Sequence, residues 1–268
     1  SSSGITDYHN TAKVTGPGVV TGRYGTLGEI FYVEEAYWPL NTSLYVQDFK
    51  GNDPRFISYF LRTLHFGAQN AAGAVPGLNR NHLHELQVKV PDLPTQKKIA
   101  GILSAYDNLI ENNLRRITIL EEMAQSLYRE WFVHLRFPGH ETVQLVDSEL
   151  GKIPEGWEVK KLSEIADLTM GLSPKGNTYN DQGLGTALVN GPVEFGDRFT
   201  KAIKWTTAPT KLCKNDDLIV CVRGSTTGKH VKSDGVYCLG RGVCSLSSKY
   251  QSFIDYLFKE RLPTLLAM

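Results

Sequence analysis

Cysteine is scarce in this 268-residue chain, net charge is almost nil, and long apolar runs are missing. The four cysteines, Cys213, Cys221, Cys238 and Cys244, all fall in the second half, with no CxxC pair and no Cys/His set at zinc spacing. Neither a disulfide framework nor a metal centre is expected from such usage. The thiols read as reduced, packed side chains of a cytoplasmic protein. Lys and Arg number 29 against 28 Asp and Glu, a net charge of +1. Any polyanion must then be met by local patches rather than by a basic whole. No run approaches the ~20 apolar residues of a membrane span, so no membrane partner is expected. The opening SSSGITDYHN lacks signal-peptide character. It starts at Ser1 rather than methionine, so the natural N-terminus is expected to lie upstream.

Catalytic signatures are missing too. There is no Walker A loop, no G-x-S-x-G elbow, no H-E-x-x-H and no Asn-Pro-Pro-aromatic stretch. GPGVVTG (16–22) has the wrong spacing for a dinucleotide fingerprint and is surrounded by strand, not helix. His82 and His84 read as the surface of a helical turn. The adjacent carboxylates Glu34-Glu35, Glu121-Glu122 and Asp216-Asp217 read as solvated or capping pairs. No catalytic residue is assigned.

What the chain does have is one long amphipathic stretch, residues 94–131. Proline is absent after Pro94, and apolar residues alternate at three and four. The series is Ile99, Leu103, Tyr106, Ile110, Asn113, Ile117, Leu120, Ala124, Leu127 and Trp131, a heptad seam. Such a helix would be roughly 55–60 Å long. Ile102, Leu109, Leu114, Ile119 and Met123 widen the stripe, which predicts at least two packing partners. Asn113 in the seam either pairs with a buried polar partner and sets register, or marks a locally exposed point.

Before the helix the chain reads as β-rich. Strands are predicted at VVT (19–21), IFYV (30–33) and TSLYV (42–46), and a last one at LQVKV (86–90). A helix opens at Asp53-Pro54, by an aspartate N-cap and proline at N1. Residues 136–156 carry proline, glycine and charge without periodicity and read as a linker. Trp157-Glu158-Val159 and the amphipathic KKLSEIADLTMG (160–171) open a new domain, 217–222 predicts a strand, and 250–258 another helix. The expected division is 1–93, 94–135, 136–154 and 155–268.

The two β-rich parts repeat one another. VVTGRYGTLGE (19–29) lies over VCVRGSTTGK (220–229), with Arg23, Thr26 and Gly28 facing Arg223, Thr226 and Gly228 at an offset of 200. Phe56-Ile57-x-Tyr59 matches Phe253-Ile254-x-Tyr256 at 197. In that frame the first copy lacks its front portion and the second stops before an equivalent of NRNHLHELQVKVPDLP. Each glycine-rich loop follows a strand and offers an arginine and hydroxyls. Arginine suits phosphate or the O6/N7 edge of guanine, and threonine a phosphate or a thymine methyl. The candidate DNA-binding residues are Lys13, Arg23, Tyr24 and Thr26 in the first copy. In the second they are Lys201, Lys204, Arg223, Ser225, Thr226 and Lys229, with Lys232 and His230 nearby. The alternative is a hairpin whose arginine pairs with a local carboxylate.

Several stretches together resemble a known family. LPTQKKIAGILSAYDNLIENNLRRITILEEMAQSLYREWFV, then FPG, then LGKIPEGWEVKKLSEIA resembles the specificity subunit of type I restriction–modification systems. IPEGWEVKKL (153–162) resembles the opening of a target-recognition domain, and GLNRNHLHELQVKVPDLPTQKKI resembles the close of one. The resemblance implies an α+β fold: two β-rich target-recognition domains of similar fold joined by a long coiled-coil-type spacer helix. It implies that each domain reads half of a bipartite double-stranded DNA target, and that catalysis belongs to partners. Those partners are modification subunits using S-adenosylmethionine and a restriction (motor) subunit driven by ATP with Mg; no cofactor is expected in this chain. At ~3.4 Å per base pair, such a helix laid along a duplex would span about 16–18, an upper limit on half-site separation. The second spacer helix is absent from this sequence. A second copy, helices of the modification subunits, or residues outside this sequence could each supply it, which makes the seam from Ile99 to Trp131 the expected subunit interface. Two other readings stay open: a stand-alone DNA-processing enzyme fragment, and a coiled-coil module whose loops bind protein.

Overall fold

The computed structural model describes residues 1–24, 27–64 and 77–267. Contacts divide the chain into two compact units, 1–116 and 117–268, with the boundary inside the long helix.

In the first unit, β1 (Gly18–Gly22), β2 (Ile30–Val33) and β3 (Ser43–Tyr45) form an antiparallel sheet with β1 central. The helix α1 (Pro54–Arg62) starts where the sequence says it should: the Asp53 carboxylate accepts from Phe56 N at 2.8 Å, and Pro54 supplies the N1 ring. Leu61 and Leu64 pack with Val19, Ile30 and Leu44 into the core. A short helix, α2 (Arg80–His84), follows, and then α3 (Leu93–Tyr128). Residues 86–90 form no strand, contrary to expectation. Leu86, Val88 and Val90 are exposed, and no neighbouring strand among the described residues offers a ladder.

Gln96 and Asp107 lie on the face of α3 that holds α1. Gln96 is 2% exposed. Its Oε1 accepts from Asp53 N at 2.9 Å, and its Nε2 donates to Asn52 Oδ1 at 2.8 Å and Pro91 O at 2.9 Å. Tyr59 Oη donates to Asp107 Oδ2 at 2.7 Å. Between them Ala100 is buried, and its small side chain lets the backbones approach.

In the second unit α3 ends in a π-helical turn, Arg129–Val133. The predicted linker instead holds a hairpin, β4 (Leu145–Ser148) with β5 (Gly151–Pro154). Both strands are largely exposed, so no alternation marked them in the sequence. The amphipathic stretch at 160–171 holds one short helix, α4 (Leu162–Ile165). From Asp167 the chain is drawn into β6 (Asp167–Met170) by pairing to a later strand. Then come β7 (Tyr179–Asn180), β8 (Thr186–Val189), β9 (Trp205–Thr206), β10 (Leu218–Cys221), β11 (His230–Lys232), β12 (Cys238–Leu239), β13 (Val243–Ser247) and α5 (Gln251–Leu266). One sheet runs β11-β10-β13-β6 and the other β12-β8-β9-β7.

β10 is buried on both faces, which explains its unbroken apolar run. Leu218 and Val220 face α5, packing with Ile254 and Leu257; Ile219 and Cys221 face the opposite cluster with Val189, Leu239 and Val243. Tyr128 and Phe132 of the α3 terminus meet Phe253 of α5 at ring distances of 5.6 and 4.9 Å. Gln125 and Arg129 both donate to Glu260, at 2.8 and 2.7 Å. All four cysteines are buried and free.

The repeat is present in the topology. β1, β2, β3 and α1 correspond to β10, β11, β13 and α5, with the central strand flanked in the same order. Its register differs from the sequence alignment by one. Val19 faces α1, whereas Ile219, its partner at offset 200, faces away from α5. Side chains alternate along a strand, so equivalent positions must differ by an odd number. The hydrogen bonds agree: Arg23 N donates to Thr42 O, and it is Val222, not Arg223, whose N donates to Gly242 O.

Candidate nucleic-acid interface

Arg23 leaves the end of β1 with its backbone fixed at both sides. Its N donates to Thr42 O at 2.8 Å, and its O accepts from Leu78 N at 3.0 Å. Tyr24 bridges Gly77, and the Arg23 guanidinium lies 5.1 Å from the Tyr24 ring centroid. These contacts bring residues 77–81 against the β1 end. The result is a cleft of about 660 Å³ lined by Arg23, Tyr24, Gly77, Leu78, Arg80 and Asn81 among others. Gly77 fits closely there: a Cβ would stand 3.0 Å from Tyr24 Cε1, so the ring would have to give by a few tenths of an ångström. The sequence reading missed Arg80 and Asn81. Their signal was the NRN triplet (79–81) closing a glycine loop, a polar run just before an apolar helical turn. Thr26 lies outside the described residues. Lys13 stands elsewhere, its Nζ 6.0 Å over the Trp38 ring, not among the side chains lining the cleft.

Arg223 follows β10 into a tight turn, Gly224–Thr226. Gly224 and Gly228 hold positive φ, +76° and +87°, which L side chains rarely adopt. Thr227 Oγ1 donates to Gly224 O at 2.8 Å, and Gly228 N to Cys221 O at 2.9 Å, closing the loop on the strand end. Arg223, Ser225 and Lys229 are exposed on it, and Thr226 is half-buried. Lys201 and Lys204 are exposed on the approach to β9, where Lys201 N donates to Glu194 O and Lys204 O accepts from Leu188 N. Two basic groups named with them are otherwise engaged. Lys232 pairs with Asp216 at 2.6 Å and Asp255 at 2.9 Å. Burial alone would lower its pKa, but the two carboxylates outweigh burial and raise it. His230 packs its ring on Phe258 and sets Nδ1 against Gly228 O.

Among the described residues no carboxylate pairs with Arg23, Arg80 or Arg223. That answers the hairpin alternative, in which a local acid would neutralise the arginine. The acidic pairs serve structure instead: Glu34 meets Arg55, Glu121 meets Arg198, and Asp217 accepts from Lys214 N. Among the described residues no three His, Cys, Asp or Glu side chains group as metal ligands would, and no helix is long and apolar enough to cross a membrane.

The seam of α3 divides between cover and exposure. Ile99, Ile117, Ala124 and Trp131 are half-buried. In the first unit Leu103, Tyr106 and Ile110 are 39, 64 and 58% exposed; in the second Leu120 and Leu127 are 61 and 49%. Asn113 is exposed. Apolar exposure of this extent exceeds what a free surface ordinarily shows.

Comparison with known proteins adds a likeness to one family. The type I restriction modification DNA specificity domain matches residues 1–122. A protein named as the type I restriction enzyme MjaX specificity subunit, from Methanocaldococcus jannaschii, is 31% identical over 215 residues. The chain is similar to the type I restriction–modification specificity subunits. The MjaX match covers 77% of this chain and 49% of that protein. The MjaIX specificity subunit of the same organism is 33% identical over 154 residues, 53% of this chain and 34% of that one. The chain thus spans about half the length, or less, of the curated relatives it matches. In fold it is similar to the crystal structure of a type I restriction–modification S subunit from M. genitalium. The TM-score is 0.52 at 14% identity, covering 96% of this chain and 68% of that one.

Proposed function

We propose that this chain recognises DNA sequence and serves as the scaffold of a type I restriction–modification complex, without catalysing a reaction itself. Each unit reads one half of a bipartite duplex target, the first through Arg23 and its cleft, the second through the turn at Arg223. Exposed lysines, among them Lys13, Lys201, Lys204 and Lys229, contact phosphates. The exposed apolar stripe of α3 docks the modification subunits or a second copy of this chain, and the restriction subunit joins through that assembly. S-adenosylmethionine, and ATP with Mg, act in those partners.

One observation carries the reading. Two units of the same strand order each carry, within two residues of the end of a buried central strand, an arginine that no described carboxylate neutralises. Unpaired guanidinium groups on glycine-shaped loops suit an acceptor-rich, negatively charged ligand. Binding of the assembled complex to duplex DNA is expected to weaken steeply as salt rises from low to physiological concentration. Binding that stays flat over that range would overturn the DNA reading, and a purified chain that methylates or cuts DNA alone would overturn the scaffold reading.

A further inference from the structure

The first unit holds two arginines in one cleft, and only one of them ends a strand. Arg80 reaches the cleft because Leu78 N donates to Arg23 O and Gly77 bridges Tyr24, which ties α2 to the end of β1. The residues around it have separate tasks. Asn79 spends its side chain on capping α2, its Oδ1 accepting from Asn81 N at 3.0 Å. Asn81 keeps its own carboxamide without a partner among the described residues, and it lines the same cleft. Leu78 is buried beneath them as the anchor. The Arg23 guanidinium lies over the Tyr24 ring, 5.1 Å from its centroid, a cation–π contact that restrains the side chain at the mouth of the cleft.

Two cations in one cleft repel each other, and here no described acid relieves them. An occupant rich in acceptors would. A phosphate can be met by an exposed lysine as a point charge as well as by an arginine fork. Two planar forks lining one cleft, with a carboxamide beside them, match a base edge, where O6 and N7 of guanine accept two parallel hydrogen bonds from one guanidinium.

Resting on the DNA reading above, we propose that Arg80 determines sequence specificity in the first unit, taking the O6/N7 edge of a guanine in the major groove, with Arg23 and Asn81 completing the cleft.

The test uses the full chain in its assembled complex. Duplexes are first selected from a random library. Affinities are then measured for the selected duplex, for the same duplex with 7-deazaguanine in place of each guanine, and for an unrelated duplex. The variants are Arg80→Ala and Arg80→Lys, the second keeping the charge and losing the fork, and both are compared with wild type in thermal unfolding. Arg80→Lys is expected to weaken the selected duplex by about 5- to 100-fold and to leave the unrelated duplex unchanged. One guanine, in one half-site, should lose as much on replacement by 7-deazaguanine with wild type, and nothing further with Arg80→Lys. If Arg80→Lys binds like wild type while Arg80→Ala weakens every duplex equally, Arg80 holds a phosphate and the proposal fails, though the DNA reading stands. The proposal alone also fails if wild type selects two blocks and neither variant changes them. A wild-type complex that selects no sequence sinks the DNA reading itself.

Discussion

Replacing Gln96 should loosen the first unit more than any exposed substitution on the same helix. Its amide is buried and makes three hydrogen bonds, to Asp53 N, Asn52 Oδ1 and Pro91 O. Gln96→Ala removes all three and strands the Asp53 N–H and the Pro91 carbonyl at a partly covered junction. At about 1 kcal/mol net for each bond, the loss is about 3 kcal/mol. For a unit of this size that lowers Tm by about 10 °C. Gln96→Glu sharpens the test. A carboxylate keeps the acceptor for Asp53 N but turns a negative oxygen toward two acceptors. Burial raises the folded pKa of such a group above its unfolded value. The destabilisation is therefore complete above the folded pKa and fades as pH falls below the unfolded one, where the protonated carboxyl donates again. Thermal unfolding of both variants from pH 4 to 8, with hydrogen exchange at the Asp53 amide, reads each part. A loss below about 0.5 kcal/mol for Gln96→Ala, with Asp53 still protected, would refute the junction as described.

Other regions give equally direct expectations. On the exposed stripe of α3, Ile110→Asp or Leu120→Asp should leave Tm unchanged and abolish assembly with partners or with a second copy, read by sedimentation velocity; intact assembly in both would remove the stripe as a docking surface. Asp255 is nearly buried against Lys232, so Asp255→Ala leaves Lys232 with the more exposed Asp216 alone and should cost about 2 kcal/mol. The raised pKa of Lys232 means that the stabilisation from its two carboxylates is full below the ordinary lysine pKa and is lost as pH rises through the folded one, so wild type should weaken in strong alkali and the variant, which keeps Asp216, somewhat less. Burial pushes the Cys244 thiol up to about 11 and raises Cys213 and Cys221 as well. A thiol reagent at pH 8 should therefore find no reactive cysteine in the native chain and four after denaturation.

Much of this was legible in the residues because the signals were local. The heptad pattern gave α3 to within a few residues, Asp53-Pro54 gave the start of α1, and the apolar run at 218–221 gave a strand buried on both sides. Signals that depend on a distant partner were lost. β6 lies in a stretch that read only as amphipathic, and pairing with β13 is what makes it a strand. The hairpin β4–β5 carries no alternation because neither strand packs on a core. Gln96 and Asp107 looked like ordinary polar positions of a helix, although each bonds to the α1 region from more than forty residues away. The repeat was visible as matched letters, but only strand faces reveal its one-residue slip, since letters do not record which side of a pleat they occupy. Arg80 joined Arg23 through backbone contacts that no spacing rule foretells.

The central claim is that two similar units read two separate halves of one DNA target. Selection from a random duplex library with wild-type, Arg23→Ala and Arg223→Ala chains in the assembled complex tests it most directly. The account predicts two conserved blocks separated by an unread gap for wild type, with each variant eroding a different block and leaving the other intact. One contiguous block, or the same block lost in both variants, would contradict it.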